Sequence, residues 1–584
     1  MSLTLSGHAV APGVVIGQVH LAESNELEIG EYRINQEDVD KEINRYRNAV
    51  GAAREQLLEL ADRIDLAVAA PAAEIIQSHV LMMGDSMIRQ STEDHIRDQL
   101  CNAEWALQTQ LEKILSEFRS MDDEYIRTRG EDVTQVVRLI QSKLSAEAAT
   151  TPFENIPDRL AETLAVAYDL TPGELALLHE RGVAGIVTEH GGPHSHTAIL
   201  ASSLGIPAVL GVHGARSQLQ EDSVVILDGG LGVVIADPDE ATLEHYHEVR
   251  LDAERYRRSL ASLRERRADS LDGVEVSLQA NAERRAELLQ SITSGADGIG
   301  LYRTEFLYLQ GAPPDEETQL AEYLSALDML DGKPLTIRTL DLGADKSTDA
   351  LDFSQLRRSV NPALGLRAVR LCLRDTALFK TQLRAILRAS SSGLVRCLIP
   401  MITSVQEIRL VRKLIEESKI ELDERRQPYD KDMKLGGMIE VPAAALAIDE
   451  LGRELDFISV GTNDLLQYAL AADRGDEQVA HLYDLEHPGI VRLLRYILRE
   501  AERLELPATV CGEVAGDPRY TRMLLALGLR QFSMHPARLL EVKKVVRETR
   551  VDAATDAMKV WLKNPSAAKD CSLLELLDRS QASS

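Results

Sequence analysis

The hydrophobic pattern changes period several times along the chain. Residues 1–22, ending in VVIGQVHLA, alternate apolar and polar positions and predict two short strands around Ala11-Pro12-Gly13. From about Asn35 to Ser145 apolar residues recur at helical spacing, as in IIQSHVLMM and ALQTQLEKILSEF. This stretch holds one proline, Pro71, and only Gly51, Gly84 and Gly130, so it predicts a bundle of helices. After Thr151-Pro152 a β-α texture returns in LAVAYDL, GVAGIVTEHGG, AILASSLGIPAVLG and SVVILDGGLGVVI. One small α/β domain interrupted by an inserted helical domain accounts for both textures. Between about Ala241 and Asp272 a charge-laced helical stretch separates this half from the next and predicts a solvated linker helix. Eight apolar runs follow, most with helical stretches between them: VEVSLQAN, DGIGLYRTE, LTIRTLDLG, LVRCLIPMI, LGGMIEVP, DFISVGTND, PATVCGE and RQFSMHP. Most turn polar or charged where the run ends. Eight β-then-α units predict a (β/α)8 barrel with its chemistry at the C-terminal strand ends; an open doubly wound sheet is the alternative. The tail beyond Arg550 has helical fragments and no assignable role.

Composition narrows the partners. The chain has 584 residues, with 65 Lys+Arg against 93 Asp+Glu and a net charge of −28. Such a surface repels phosphate backbones, which argues against nucleic acid and anionic membranes. The five cysteines (Cys101, Cys372, Cys397, Cys511, Cys571) are scattered and show no CxxC spacing, which argues against a disulfide framework or a cysteine zinc site. No run approaches the ~18 apolar residues of a membrane span, and no basic-then-apolar leader opens the chain. A cytoplasmic multidomain protein is expected.

The strand ends offer Asn281, then Arg303 with Glu305, then Arg338 with Asp341 and Lys346. Glu440 follows, then Asn463 with Asp464, and finally Cys511 with Glu513; Arg474 lies after strand six. Three arginines and a lysine around one mouth of so acidic a protein suit a small, multiply charged anion. Glu440 and Asp464 end adjacent strands and suit a hard cation, Mg²⁺. Cys511 is either a small buried hydrophobe or a general acid delivering a proton to carbon. A second constellation, Gly191-Gly192-Pro193-His194-Ser195-His196-Thr197, runs into an apolar helix. A helix N-terminus seats phosphate, and a histidine there can attack phosphorus and carry the phosphoryl group. An H-x-H metal site is the competing reading, with no third ligand evident nearby. Thr171, in YDLTPGE, is a hydrogen-bond partner for the imidazole.

In this order, GGPHSHTAILASSLGIPAVLG, LYRTEF, IRTLDLGADK, NPALGLRAVR, GMIEVPAAA, VGTNDLLQYALAADRG and CGEVAGD closely resemble Enzyme I of the bacterial phosphotransferase system. The likeness covers about residues 5 to 548 and includes MDDEYIRTRGEDV in the helical insertion. The resemblance implies an α/β multidomain enzyme. Its phosphohistidine domain would span 1–22 and 148–240 and hold an inserted helical, carrier-protein-binding domain at 23–147. A linker helix at 241–272 and a TIM barrel at 273–548 that binds phosphoenolpyruvate and dimerises would follow, with a tail at 549–584. His196 matches the phosphorylated histidine. Arg303, Arg338, Asn463, Asp464 and Arg474, with Lys346 and Arg367, match substrate positions. Glu440 and Asp464 match the Mg²⁺ ligands, and Cys511 the residue that protonates the enolate. The implied partners are phosphoenolpyruvate, a small histidine phosphocarrier protein and a second copy of the chain, in sugar transport or nitrogen-linked regulation. Ala344 and Val441 depart from the family pattern without removing a ligand, and His194 and His535 depart from it as well. Pyruvate phosphate dikinase and phosphoenolpyruvate synthase share the histidine domain and barrel but need a nucleotide-binding domain, and no Walker-type loop occurs here. A non-catalytic phosphoenolpyruvate sensor would be expected to lose a chemical residue.

Overall fold

The computed structural model describes residues 2–22, 30–63, 76, 78–119, 124–144, 160, 162–193, 195–308, 313–342, 361–473, 478–563 and 572–582. The chain folds as two units, Met1–Tyr256 and Arg257–Ser584, and the junction falls within the helix Glu240–Ala261.

The first unit is built on a mixed sheet of eight strands. Three strands open the chain rather than the two expected: β1 (Leu3–Ser6), β2 (His8–Ala11) and β3 (Val14–Leu21). The others are β4 (Thr163–Ala167), β5 (Gly185–Thr188), β6 (Ala208–Leu210), β7 (Val224–Asp228) and β8 (Val233–Ala236). Their order is β1-β8-β7-β3-β4-β5-β6-β2. Only Gly7 separates β1 from β2, yet these strands occupy the two ends of that order, so the sheet curls until its edges meet. A Cβ at Gly7 would lie 2.6 Å from the Leu210 carbonyl oxygen, which is why glycine stands at the crossing. The chain between β3 and β4 forms the helices Val39–Arg63, Ser86–Gln99, Ala103–Arg119 and Glu124–Leu144. Their apolar stripes bury Ile43, Tyr46, Leu107 and Ile140 in one core with Ala165, Ile186 and Leu200 of the α/β part. The opposite face of the sheet buries Val19, Val166, Val187 and Leu227 in a separate core.

The second unit is a closed parallel barrel: β10 (Glu275–Ala282), β11 (Ile299–Tyr302), β12 (Leu335–Arg338), β13 (Val395–Ile399), β14 (Lys434–Ile439), β15 (Phe457–Val460), β16 (Ala508–Val510) and β17 (Gln531–Met534). β17 pairs back onto β10, and β9 (Ala268–Asp269) adds an antiparallel edge to β10. All eight apolar runs became strands, because each is buried on two faces, by barrel interior and outer helices. Leu301, Leu398, Met438, Phe457 and Cys511 cluster within that fold as a small core of their own. The tail forms the helices Val551–Lys563 and Leu573–Ala582, which pack on the helix Pro518–Ala526 and bury Met558, Trp561, Leu573 and Leu577. No helix among the described residues is long and apolar enough to cross a membrane.

Candidate active site

The strand-end residues of the barrel meet in two adjoining groups. In the first, Arg338, at the end of β12, is buried between Glu305 Oε1 (2.9 Å) and Asp341 Oδ2 (3.2 Å). Arg367 reaches Asp341 Oδ1 at 2.9 Å and Asp464 Oδ2 at 3.5 Å, and its Nη1 donates to the Tyr468 hydroxyl at 3.4 Å. Burial opposes both guanidinium charges, but the surrounding carboxylates outweigh it and hold both arginines charged. Their Nε–H groups are buried with no partner among the described residues. Glu440, at the end of β14, is 2% exposed, and its Oε1 accepts the Met401 backbone N–H at 2.6 Å. Burial, then the charges of Asp341 and Asp464, push its carboxyl well above the usual range.

The second group opens into a cavity of about 700 Å³, lined by Asn281, Arg303, Cys511 and Glu513 together with Arg519, His535 and Arg538. The Arg303 side chain is 44% exposed, with Glu283 at 4.0 Å as its ion-pair partner among the described residues, so its charge is available to a ligand. Asn281 ties three strands together: its Nδ2 donates to the Cys511 carbonyl (2.9 Å) and its Oδ1 accepts from Ser533 (2.6 Å). Asn463 is locked to Glu513, donating from Nδ2 and accepting the Glu513 N–H, both at 3.0 Å. That lock needs Gly512, because a Cβ there would lie 1.9 Å from Thr462 Oγ1. Burial pushes the Cys511 thiol up to about 11, so at neutral pH it is a proton donor and not a nucleophile.

Glu440 and Asp464 supply hard carboxylate oxygens; burial chiefly raises Glu440, and the charges of Asp341 and Asp464 raise it further, a repulsion that a divalent cation would relieve. No three His, Cys, Asp or Glu side chains among the described residues converge as a metal cage. Two carboxylates, with the rest of the shell from substrate and water, would suit Mg²⁺.

In the first unit, His196 opens the helix His196–Leu204, and Ser195 caps it by accepting the Ala198 N–H at 3.2 Å. Thr197 donates to the Leu170 carbonyl at 2.9 Å. The Thr171 hydroxyl is engaged in a capping box: it donates to Glu174 Oε2 (2.8 Å) and accepts the Glu174 N–H (3.3 Å). Beside them lies a cavity of about 370 Å³ lined by Arg138, Tyr168, Asp169, His190, Ser195 and Thr197, with the Tyr168 and His190 rings stacked at 5.8 Å. The His196 side chain, His194, Ala344, Lys346 and Arg474 lie outside the described residues. Among the departures, Val441 precedes the helix Pro442–Leu446 without a side-chain cap, and His535 Nδ1 accepts the Ala537 N–H at 3.3 Å. Sequence reasoning missed Arg538, although it lies four residues after the end of β17, where the same rule would have found it, and Arg519, which the helix Pro518–Ala526 carries well beyond β16. Tyr168, His190 and Arg138 carried no such signal.

Three family descriptions match the chain: "PEP-utilising enzyme, PEP-binding domain" over residues 257–551, "PEP-utilising enzyme, N-terminal" over 6–129 and "PEP-utilising enzyme, mobile domain" over 161–232. A protein of Cupriavidus necator named phosphoenolpyruvate-protein phosphotransferase is 41% identical over 94% of this chain and 94% of its own length. The chain belongs to the phosphoenolpyruvate-protein phosphotransferases. Proteins of the same name from Listeria innocua (35% identical, 99% of each chain) and Haemophilus influenzae (34%, 98% of each chain) are similar along their whole length. Membership in this family of enzymes directs attention to the substrate that the barrel mouth would hold.

Proposed function

We propose that the chain transfers the phosphoryl group of phosphoenolpyruvate to His196 and then to a small histidine phosphocarrier protein, releasing pyruvate. The observation that carries this reading is the barrel mouth, where Arg303 and a protonated Cys511 line one cavity beside the Arg338–Asp341–Arg367–Asp464–Glu440 cluster. Phosphoenolpyruvate is a small anion with a carboxylate and a phosphate, and planar guanidinium groups suit both. Arg303, Arg338 and Arg367, with Arg474 and Lys346, bind and orient it, and Asn463 holds its loop in register. Glu440 and Asp464 would hold Mg²⁺, which when bound supplies positive charge to the phosphoryl oxygens. The phosphorus–oxygen bond breaks as a bond from a His196 ring nitrogen to phosphorus forms, leaving the enolate of pyruvate. Cys511 gives its thiol proton to the enolate methylene carbon, and solvent returns a proton to the sulfur. The phosphoryl group then passes to the carrier's histidine.

In this reading residues 1–22 and 148–240 carry the phosphohistidine, with Thr171 supporting it. Residues 23–147 dock the carrier, 241–272 link the halves, and 273–548 bind substrate and pair two copies of the chain in the cytoplasm. Incubation with phosphoenolpyruvate labelled on phosphorus tests the core of the proposal. The expected result is one acid-labile, base-stable label on His196 that chases to a histidine carrier. An unlabelled protein that still binds phosphoenolpyruvate would overturn it in favour of a sensor.

A further inference from the structure

Behind the two arginine-bearing loops runs a buried polar chain that the reaction itself does not use. Arg303 and Glu305 flank Thr304 after β11; Arg338 and Asp341 flank Thr339 and Leu340 after β12. The Thr304 hydroxyl, fully buried, donates to the Arg338 carbonyl at 3.0 Å. Gln382, on the helix Thr376–Ala389 and 1% exposed, donates from Nε2 to that same hydroxyl at 3.1 Å, while its Oε1 accepts the Leu340 N–H at 2.9 Å. Gln382 also reaches the Tyr323 hydroxyl at 3.5 Å, and that hydroxyl donates to Gln319 at 3.2 Å. A single amide thus fixes both loops, one through each of its ends. An amide in an otherwise apolar helix face costs desolvation unless both ends are bonded, so its geometry tolerates little drift.

We infer that Gln382 is a positioning residue that holds Arg303 and Arg338 in the mutual arrangement phosphoenolpyruvate requires. It touches neither substrate nor reacting atoms and acts through Thr304 and Leu340. The inference rests on the function proposed above. Misplacing a binding group by an ångström costs up to about a hundredfold in rate or affinity, so loosening these loops should be visible in kinetics.

The test uses the full-length chain as Gln382→Leu, which keeps bulk and removes both bonds, and as Thr304→Val, which removes the shared hydroxyl in nearly the same volume. Each is expected to raise KM for phosphoenolpyruvate about tenfold or more at a temperature well below its Tm. Phosphorylation of His196 by the phosphorylated carrier, which needs no phosphoenolpyruvate, should stay at the parent rate. Because both substitutions cut one chain, the double variant should lose little more than the worse single. A lowered Tm with parental KM in either variant overturns the inference and leaves Gln382 a purely structural residue; additive losses in the double variant overturn the shared chain. If Gln382→Leu does not fold, Thr304→Val carries the same KM reading. A parent protein that takes no label from phosphoenolpyruvate defeats the proposed function itself, a result separate from any variant's.

Discussion

The proposed proton donor, Cys511, owes its protonated state to its position. The thiol is wrapped by Leu301, Leu398, Met438 and Phe457, and burial holds it protonated up to about 11. Cys511→Ala is expected to cut pyruvate formation by roughly 10²–10⁴-fold with little change in KM for phosphoenolpyruvate, because the proton is needed after substrate is bound. The alkaline limb from this thiol should appear only as pH nears about 11, and a limb near the ordinary thiol value that vanishes in the alanine variant would contradict the assignment. At the other centre His196, not His194, begins the helix capped by Ser195. His196→Ala should abolish labelling while His194→Ala keeps much of it; full labelling of the first variant would move the site. Gln382 was readable only as an anomaly, a polar residue on the stripe of Phe379, Leu383 and Ile386, and nothing local says that its partners lie on two other loops.

Among the elements, β14 and β15 are hydrogen-bonded neighbours, and the proposed metal ligands Glu440 and Asp464 follow them in the chain. Glu440→Ala and Asp464→Ala should each raise the Mg²⁺ concentration needed for half-maximal turnover sharply, and activity that persists in the parent under chelation would leave these carboxylates without a metal role. The tail helices tell a different story. Asp272 accepts the Val551 and Asp552 N–H groups at 3.1 and 2.9 Å and so caps the first of them. Burial would raise the Asp272 carboxyl, but the Ser270 hydroxyl and those backbone groups outweigh it and hold it near 2. Its folded value is depressed, so its stabilisation is present above the ordinary aspartate range and fades as pH falls toward 2. Trp561 is 6% exposed against this assembly. Trp561→Ala should cost about 3–5 kcal/mol in denaturant unfolding of the barrel unit, and a change within error would show that the tail does not share the barrel's core.

Across the whole molecule, the proposed chemistry is divided between two units. His196 lies within Met1–Tyr256, and every proposed phosphoenolpyruvate ligand lies within Arg257–Ser584. A fragment ending at Ala261 is therefore expected to take phosphate back from the phosphorylated carrier yet none from phosphoenolpyruvate. Direct labelling of that fragment would place the substrate site outside the barrel. The barrel strands were legible in the sequence because burial on two faces writes itself as an apolar run that turns polar at its end. The two opening strands around Ala11-Pro12-Gly13 were legible too, but the split of the first of them at Gly7 was not, because a one-residue crossing there depends on where β6 and β8 lie, and that is a long-range fact. By itself, the sequence determined the element types, the barrel, the family and the residues available for chemistry, since these follow from local periodicity and motif. Only the tertiary structure decided which of those residues share a surface. It buried Arg338 and Arg367 in one ion-paired cluster with Glu305, Asp341 and Asp464, left Glu440 buried with its charge opposed, opened Arg303 and Cys511 to a cavity, and bonded Gln382 to two loops, because burial and partner choice depend on strands far apart in the chain.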